Sequence, residues 1–218
     1  MSITRKRDLC PRCARPVSVC FCQALQSQKA PFRIALLQPA REKKHALNTG
    51  RIVNIAVSNC DVFEGEDFSG HPSFQALLAA YRGRAWLLYP GDNARSPSAL
   101  VRQETEQETE QGDSEEPLLI VLDATWRKSR KMLYLFPELA SLPRTALPEE
   151  MVSNYRLRKV PGDGYLSTVE AVVAVLAETG HAPDACRQML DAFDKMINAQ
   201  ISAMGGHVWR ANYVQTAS

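Results

Sequence analysis

The chain has 218 residues, 45% hydrophobic and 23% charged, which is enough to bury one sizeable core, and no apolar run approaches the roughly 20 residues of a membrane-spanning helix. The formal charge of +2 hides an asymmetry: Glu104, Glu106, Glu108, Glu110, Asp113, Glu115 and Glu116 carry seven of the 24 acidic residues in one cation-free window, leaving 26 cations against 17 anions elsewhere. A basic body fits a polyanionic partner, because phosphate neutralisation supplies much of nucleic-acid affinity; a solvated surface of mixed charge is the plainer alternative. The start, Met1-Ser2-Ile3-Thr4-Arg5-Lys6-Arg7, has no apolar signal core, so a soluble cytoplasmic protein is expected.

Residues 1 to about 30 are polar, basic and cysteine-rich. Cys10-x2-Cys13-x6-Cys20-x1-Cys22 puts two close pairs of thiols within thirteen residues, a spacing that suits one tetrahedral zinc held by four thiolates. Such a site has no open position for catalysis, so its role is structural, as a small knuckle docking RNA. Arg5, Lys6, Arg7, Arg12 and Arg15 lie alongside and offset the net −2 charge of the complex. Disulfides and an iron–sulfur cluster are the other chemistries open to four cysteines. Cys60 and Cys186 stand apart and read as buried fillers.

From about residue 31 the pattern is that of an α/β domain, a main domain spanning 31–218 behind the knuckle. Phe32–Leu37, Ala85–Tyr89 and Leu118–Leu122 are short apolar runs typical of buried parallel strands, and each ends in loop chemistry: Gln38-Pro39, Pro90-Gly91-Asp92-Asn93 and Asp123-Ala124-Thr125. Helices are predicted over Thr49–Val57, Ser73–Arg82, Thr125–Leu135, Thr168–Ala177 and Asp184 to about Met204. Val169, Val172, Val173 and Leu176, then Met189, Leu190, Phe193, Met196 and Ile197, are read as core stripes. The segment from about 102 to 117 repeats Glu-Thr-Glu-Gln without an apolar residue before Pro117, and reads as a mobile acidic loop or a frayed helix.

Ligands of open α/β sheets gather at the carboxyl ends of strands, where Asp123 stands. Helix capping by Asp123 or Thr125 is the alternative to a catalytic carboxylate. Trp126 reads mainly as core. Arg127, Lys128, Arg130 and Lys131 open the next helix; cations there oppose the helix dipole, which favours a phosphate partner. Tyr155-Arg156-Leu157-Arg158-Lys159 is a second basic stretch. Ser167-Thr168-Val169-Glu170, behind the glycines of Pro161–Leu166, has capping-box spacing and a helix N-terminus able to receive a ligand carboxylate.

Asp123-Ala124-Thr125-Trp126 resembles the Asp-x-Thr-Trp signature of the DTW-domain family, and Asn48-Thr49-Gly50-Arg51, the basic helix start, Tyr155–Lys159, Leu166–Ala171 and the cysteine arrangement resemble its other blocks. The resemblance implies a SPOUT-like, knotted parallel sheet flanked by helices. It also implies a tRNA-uridine aminocarboxypropyltransferase, which moves the 3-amino-3-carboxypropyl group of S-adenosylmethionine to N3 of a tRNA uridine. On that basis Asp123 is the general base. Leu88, Tyr89, Pro90, Gly91, Leu122, Thr125 and Leu166 would contact the cofactor, with Ser167, Thr168 and Glu170 gripping its amino-acid tail. Arg51, Arg127, Lys128, Arg130, Lys131, Arg156, Arg158 and Lys159 would hold tRNA, Arg51, Arg127, Arg156 and Arg158 being alternatives for the tail carboxylate. Dimerisation is common in the SPOUT class, so a homodimer is an assembly allowed by analogy. A SPOUT-type methyltransferase and a non-catalytic zinc-containing RNA binder are the rival readings.

Overall fold

The three apolar runs form the three middle strands of one five-stranded parallel sheet. The computed structural model describes residues 8–42, 45–101, 116–148, 150–157, 166–181 and 183–213. Within them, β1 (Arg33–Gln38), β2 (Cys60–Glu64), β3 (Ala85–Leu88), β4 (Leu118–Leu122) and β5 (Arg144–Thr145) are ordered β2-β1-β4-β3-β5. β1 and β4 pair with Leu37 opposite Leu122, and Asp123 N–H donates to Leu37 O at 2.9 Å, continuing the ladder to the edge of the sheet. The two outer strands escape a search for apolar runs. β2 buries only Phe63, since its outer face and free edge meet solvent, and β5 has two residues.

Among the described residues, the helices that cover the two faces include α1 (Gly50–Ala56), α2 (Pro72–Ala80), α3 (Trp126–Leu135), α4 (Pro137–Ala140), α5 (Thr168–Glu178), α6 (Pro183–Met204) and α7 (Gly206–Tyr213). Side chains alternate across a pleated strand, so Ile34, Leu36, Leu119 and Val121 pack with α1, α5 and α6, whereas Ala35, Leu37, Leu118 and Ile120 pack with α2, α3 and α4. Both faces being buried is why these strands read as unbroken apolar runs. Trp86 and Phe193 are fully enclosed in the first cluster, each contributing roughly 1.5–3 kcal/mol of burial.

The expected stripes on α5 and α6 are buried except for Leu190, which is exposed one position away from the line of Met189, Phe193 and Met196. The sequence reads as helical over 181–218 with its last helix ending at about Met204; Gly205, at φ +89°, interrupts the helical path there, and the chain restarts as a separate short helix, α7. The cysteine-rich segment does not stand apart. Phe21, Cys22 and Leu25 are buried in the same cluster as α1 and α6, and Gln26 N–H donates to Gln188 Oε1 at 3.0 Å.

Residues 102–115 of the acidic segment, the loop 161–165 and the basic start 1–7 lie outside the described residues. Glu116, counted with the acidic segment, is tied down. Its carboxylate accepts from Asn59 Nδ2 at 2.7 Å, and its carbonyl accepts from Arg84 Nη1 at 2.8 Å. Among the described residues no helix is long and apolar enough to cross a membrane.

α5 starts with a complete capping box. Ser167 Oγ accepts from Glu170 N–H, and Glu170 Oε2 accepts from Ser167 N–H at 2.8 Å. Glu170 also accepts from Ser153 Oγ at 2.8 Å and from Asn154 N–H at 2.7 Å, so one buried carboxylate fastens the 153–154 segment to the helix start. Glu170→Ala removes a cap and leaves buried donors unpaired; we expect it to cost about 2–4 kcal/mol in denaturant unfolding, and a loss below about 1 kcal/mol would show that the junction is held elsewhere.

A candidate active site at the carboxyl end of the sheet

After β1 the chain turns to α1 on one face of the sheet, and after β4 to α3 on the other. Their loops therefore diverge and leave a crevice at the carboxyl ends of two adjacent strands, the position where open α/β sheets bind ligands. A cavity of about 830 Å³ occupies it. Leu88, Tyr89 and Pro90 beyond β3 form one wall, residues 146–148 and Tyr155 another, and Leu166, Ser167 and Thr168 a third; Asn48, Leu122 and Asp123 lie among the remaining lining residues.

Asp123 is buried, 7% exposed, although it is a carboxylate. Its Oδ2 accepts from Gln38 Nε2 at 2.7 Å and from Asn48 Nδ2 at 3.4 Å, and its Oδ1 accepts from Thr168 Oγ1 at 2.6 Å. The N-terminus of α1 presses against it so closely that a Cβ on Gly50 would lie 2.4 Å from Oδ2; glycine is needed there for the approach. Burial pushes the Asp123 carboxyl above its ordinary range, and the hydrogen bonds from Thr168, Gln38 and Asn48 pull it part of the way back. All three donors are neutral, and no salt bridge reaches Asp123 among the described residues.

The capping alternative is settled at Thr125, whose Oγ1 accepts from Lys128 N–H at 3.4 Å as the N-cap of α3. Of the residues expected to contact a cofactor, Leu88, Tyr89, Pro90, Leu122, Thr125, Leu166, Ser167 and Thr168 line the cavity. Gly91 and Glu170 do not. Gly91 instead makes room for Arg144, which reaches Pro90 O at 2.9 Å, and Glu170 is committed to the capping box. Trp126 lines the cavity too, half-buried and tilted against Tyr89 with centroids 5.4 Å apart, so it is a wall of the site as well as a packing residue.

Gln38 was visible in sequence only as loop chemistry after a strand, and Tyr213 not at all. The first becomes a partner of Asp123 through strand pairing, and the second reaches the cavity because α7 folds back; neither fact is written in local periodicity.

A model of the DTW domain matches residues 7–201, which include the cysteine cluster, the sheet and most of α6. The chain belongs to the DTW-domain family. A Drosophila melanogaster relative named tRNA-uridine aminocarboxypropyltransferase 2 is 28% identical over 185 residues, 82% of this chain and 69% of the relative. An Arabidopsis thaliana relative, tRNA-uridine aminocarboxypropyltransferase A, is 24% identical over 89% of this chain and 81% of its own length. A mouse protein named tRNA-uridine aminocarboxypropyltransferase 2 is 25% identical over 79% of this chain, which spans only 56% of it. No solved structure matches the chain significantly.

In this DTW domain the signature does two structural jobs at once: Asp123 closes the ladder between β1 and β4, and Thr125 caps α3. Of the cations expected to hold RNA, Arg127 and Arg130 are exposed on α3, while Lys128 pairs with Glu42 at 2.6 Å and Lys131 with Glu66 at 2.5 Å. Arg156 donates to Asn198 Oδ1 at 2.9 Å. Arg51 points to the cysteine segment, donating to Cys13 O at 2.6 Å. Arg158 and Lys159 lie outside the described residues.

Cys10, Cys13, Cys20 and Cys22 converge, with all four Sγ atoms within 4.8 Å of one another. The Cys10–Cys22 and Cys13–Cys20 separations are 3.8 and 3.7 Å. Four sulfurs placed about 2.3 Å from a central zinc stand about 3.8 Å apart, so the cluster has the dimensions of a tetrahedral thiolate site. Backbone N–H groups of Cys13 and Arg12 pull the Cys10 thiol down to about 6, while burial pushes Cys20 and Cys22 up, and a bound cation is what would hold the latter pair as thiolates. Arg15 supplies a second test. It is buried, its Nη1 donates to Ala46 O at 2.8 Å, and its Nε has no hydrogen-bond partner. Burial pulls Arg15 below its ordinary range, with Arg51 adding to the effect, and Cys13 and Cys20 oppose it; a cluster carrying net negative charge would offset the burial of this cation.

Because burial holds the folded-state pKa of Asp123 above its unfolded value, the carboxyl's contribution to stability is complete below the ordinary carboxylate range and is lost as pH rises through the folded pKa. Asp123→Asn should therefore raise the melting temperature at pH 7.5, by about 2–4 °C for roughly 1 kcal/mol, with the gap closing towards pH 4. A variant that melts lower than the parent at pH 7.5 would mean that the three hydrogen bonds outweigh the burial penalty.

Proposed function

We propose that this DTW domain transfers the 3-amino-3-carboxypropyl group of S-adenosylmethionine to N3 of a uridine in tRNA and releases methylthioadenosine. The observation that carries this reading is the buried carboxylate of Asp123 at the floor of the crevice, held by neutral donors among the described residues, in a family with relatives named for that activity. The cavity is within the range of about 300–1,000 Å³ usual for small-molecule sites, and its walls divide by chemistry. Leu88, Tyr89, Pro90, Leu122 and Leu166 offer apolar and aromatic surface to the adenosine, with Thr125 at the rim. The first turn of α5 offers the tail carboxylate a positive dipole end and the N–H groups of Thr168 and Val169, the two between the Ser167 and Glu170 N–H groups that the capping box uses. Glu170 serves by holding that turn in place.

Uridine N3 is a weak nucleophile until its proton is removed, and Asp123 is the base of this reading, its basicity raised by burial. The sulfonium activates three carbons, and alignment of the side-chain γ-carbon instead of the methyl decides which one is transferred. Arg127 and Arg130 on the exposed face of α3, with Lys128 and Lys131 on the same helix and Arg156, Arg158 and Lys159 of the second basic stretch, are proposed to hold tRNA phosphates; Arg51 contributes by bracing the knuckle. Zinc is the proposed ion of the cysteine cluster, in a knuckle of residues 1–30 joined by a shared core to a catalytic part of 31–218. A SPOUT-like knotted path belongs to the same proposal, supported by the all-parallel sheet and by the return of the chain after β5 against the β1–α1 loop, where Tyr155 Oη donates to Leu47 O at 3.4 Å. A cytoplasmic location and a homodimer complete it.

Incubation of the protein with tRNA and S-adenosylmethionine labelled in its amino-acid tail should yield aminocarboxypropyluridine by nucleoside mass spectrometry, and Asp123→Asn should bind tRNA normally while losing at least about 100-fold in turnover. Methylated uridine in its place would establish the SPOUT-type methyltransferase, and an Asp123→Asn variant that retains the biological effect would establish a pure RNA binder. Elemental analysis should find about one zinc per chain. Cys22→Ser should lower stability and RNA affinity more than it lowers the rate on bound tRNA, and a variant with full RNA affinity and no turnover would overturn the structural assignment.

A further inference from the structure

Asp123 has little surface left for a substrate. Its Oδ2 is enclosed by Gln38, Asn48 and the backbone of Gly50, and among the described residues the hydrogen-bond partner of Oδ1 is Thr168 Oγ1 at 2.6 Å, within the short range of O–H···O⁻ bonds to an ionised acceptor. Thr168 itself lines the cavity and is half-buried. A hydroxyl has one proton to give and two lone pairs with which to accept. The Thr168 proton is spent on Asp123, so what this hydroxyl can offer to the cavity is its acceptor side. The capping box one residue earlier fixes the start of α5 and with it the place of Thr168.

The uracil edge presents N3–H between two carbonyl oxygens. A single hydroxyl oxygen enters that notch without setting a second negative oxygen against a carbonyl, which a planar carboxylate facing it with both oxygens would do. Threonine is far too weak an acid to exist as an alkoxide at neutral pH, so a hydroxyl contact works as a base only if its own proton leaves as the new one arrives.

We propose that Thr168 is the residue that touches the uridine, and that it relays the N3 proton to Asp123. This rests on the aminocarboxypropyl-transfer reading above. The N3–H bond breaks and the proton passes to Thr168 Oγ1, while the Thr168 proton passes to Asp123 Oδ1. The N3 electron pair forms the bond to the γ-carbon, and the carbon–sulfur pair goes to sulfur, leaving neutral methylthioadenosine. Asp123 ends protonated, and returns the proton to solvent by the same hydroxyl once product has left.

The test is single-turnover transfer by the intact protein, with S-adenosylmethionine and tRNA affinities measured separately. Thr168→Val should slow transfer at least about 100-fold with both dissociation constants within about threefold, and Thr168→Ser, which restores the hydroxyl, should recover most of that loss. For the wild type, rates in mixtures of light and heavy water should give a bowed proton inventory, since two protons move in one step. Transfer by Thr168→Val within about fivefold of wild type would overturn the relay, as would a loss of S-adenosylmethionine affinity equal to its loss of rate, which would make Thr168 a grip on the tail. A linear inventory overturns it too, and decides the matter even if Thr168→Val does not fold. Absence of aminocarboxypropyluridine from the wild-type reaction is a different result: it removes the proposed function and this inference with it.

Discussion

The parallel pairing of β1 with β4 is the constraint on which the site depends. It sets Gln38 and Asp123 side by side at the carboxyl edge, and it extends through the Asp123 N–H to Leu37 O, so the carboxylate is delivered by a backbone hydrogen bond and not by a flexible loop. Once placed, Asp123 is closed in by Gly50 of α1, by Asn48 of the loop before it and by Thr168 of α5, the two helices packing on the same face of the sheet. Three segments distant in sequence thus share one buried charge. Removing any one partner leaves a polar atom in a low-dielectric site, which makes the network both costly and specific.

The same face carries the cysteine cluster. Phe21, Cys22 and Leu25 are part of the core that holds α1, and Arg51 on α1 reaches back to Cys13 O, so the helix that seals Asp123 is braced from its far side by the cysteine segment. A cluster devoted to structure can therefore influence chemistry without facing the substrate. Arg15, buried beside two of the thiols, binds this segment to Ala46 in the β1–α1 loop, which also supplies Asn48.

The cations on α3 divide by position. Lys128 and Lys131 are engaged by Glu42 and Glu66, which lowers the net positive charge they present, whereas Arg127 and Arg130 face solvent. The Lys131–Glu66 pair is exposed and weak, of order 1 kcal/mol or less, so phosphate can displace it, whereas the Lys128–Glu42 pair is partly buried. Counting charges along α3 overstates the basic face, because the acidic partners come from the β1 and β2 ends of the sheet, 86 and 65 residues away in sequence.

Three strands, five helices, the cysteine tetrad and the position of Asp123 were legible in the chain, because each is written in a local code: an unbroken apolar run, a helical period, a ligand spacing, or a residue directly after a strand. β2 and β5 were not, since an edge strand buries one side only and a two-residue strand has no pattern. Leu190 missed the core by one position, because helical periodicity fixes a stripe but not its exact margin. What only tertiary structure decided is which groups meet. Gln38, Asn48 and Thr168 come to Asp123 from 85, 75 and 45 residues away, and Tyr213 enters the cavity through a turn at Gly205. Sequence by itself put the carboxylate at the end of a strand and, through its family resemblance, singled it out; long-range packing determined that it is buried and hydrogen-bonded to a threonine hydroxyl, because burial and hydrogen-bond partners are properties of neighbours in space.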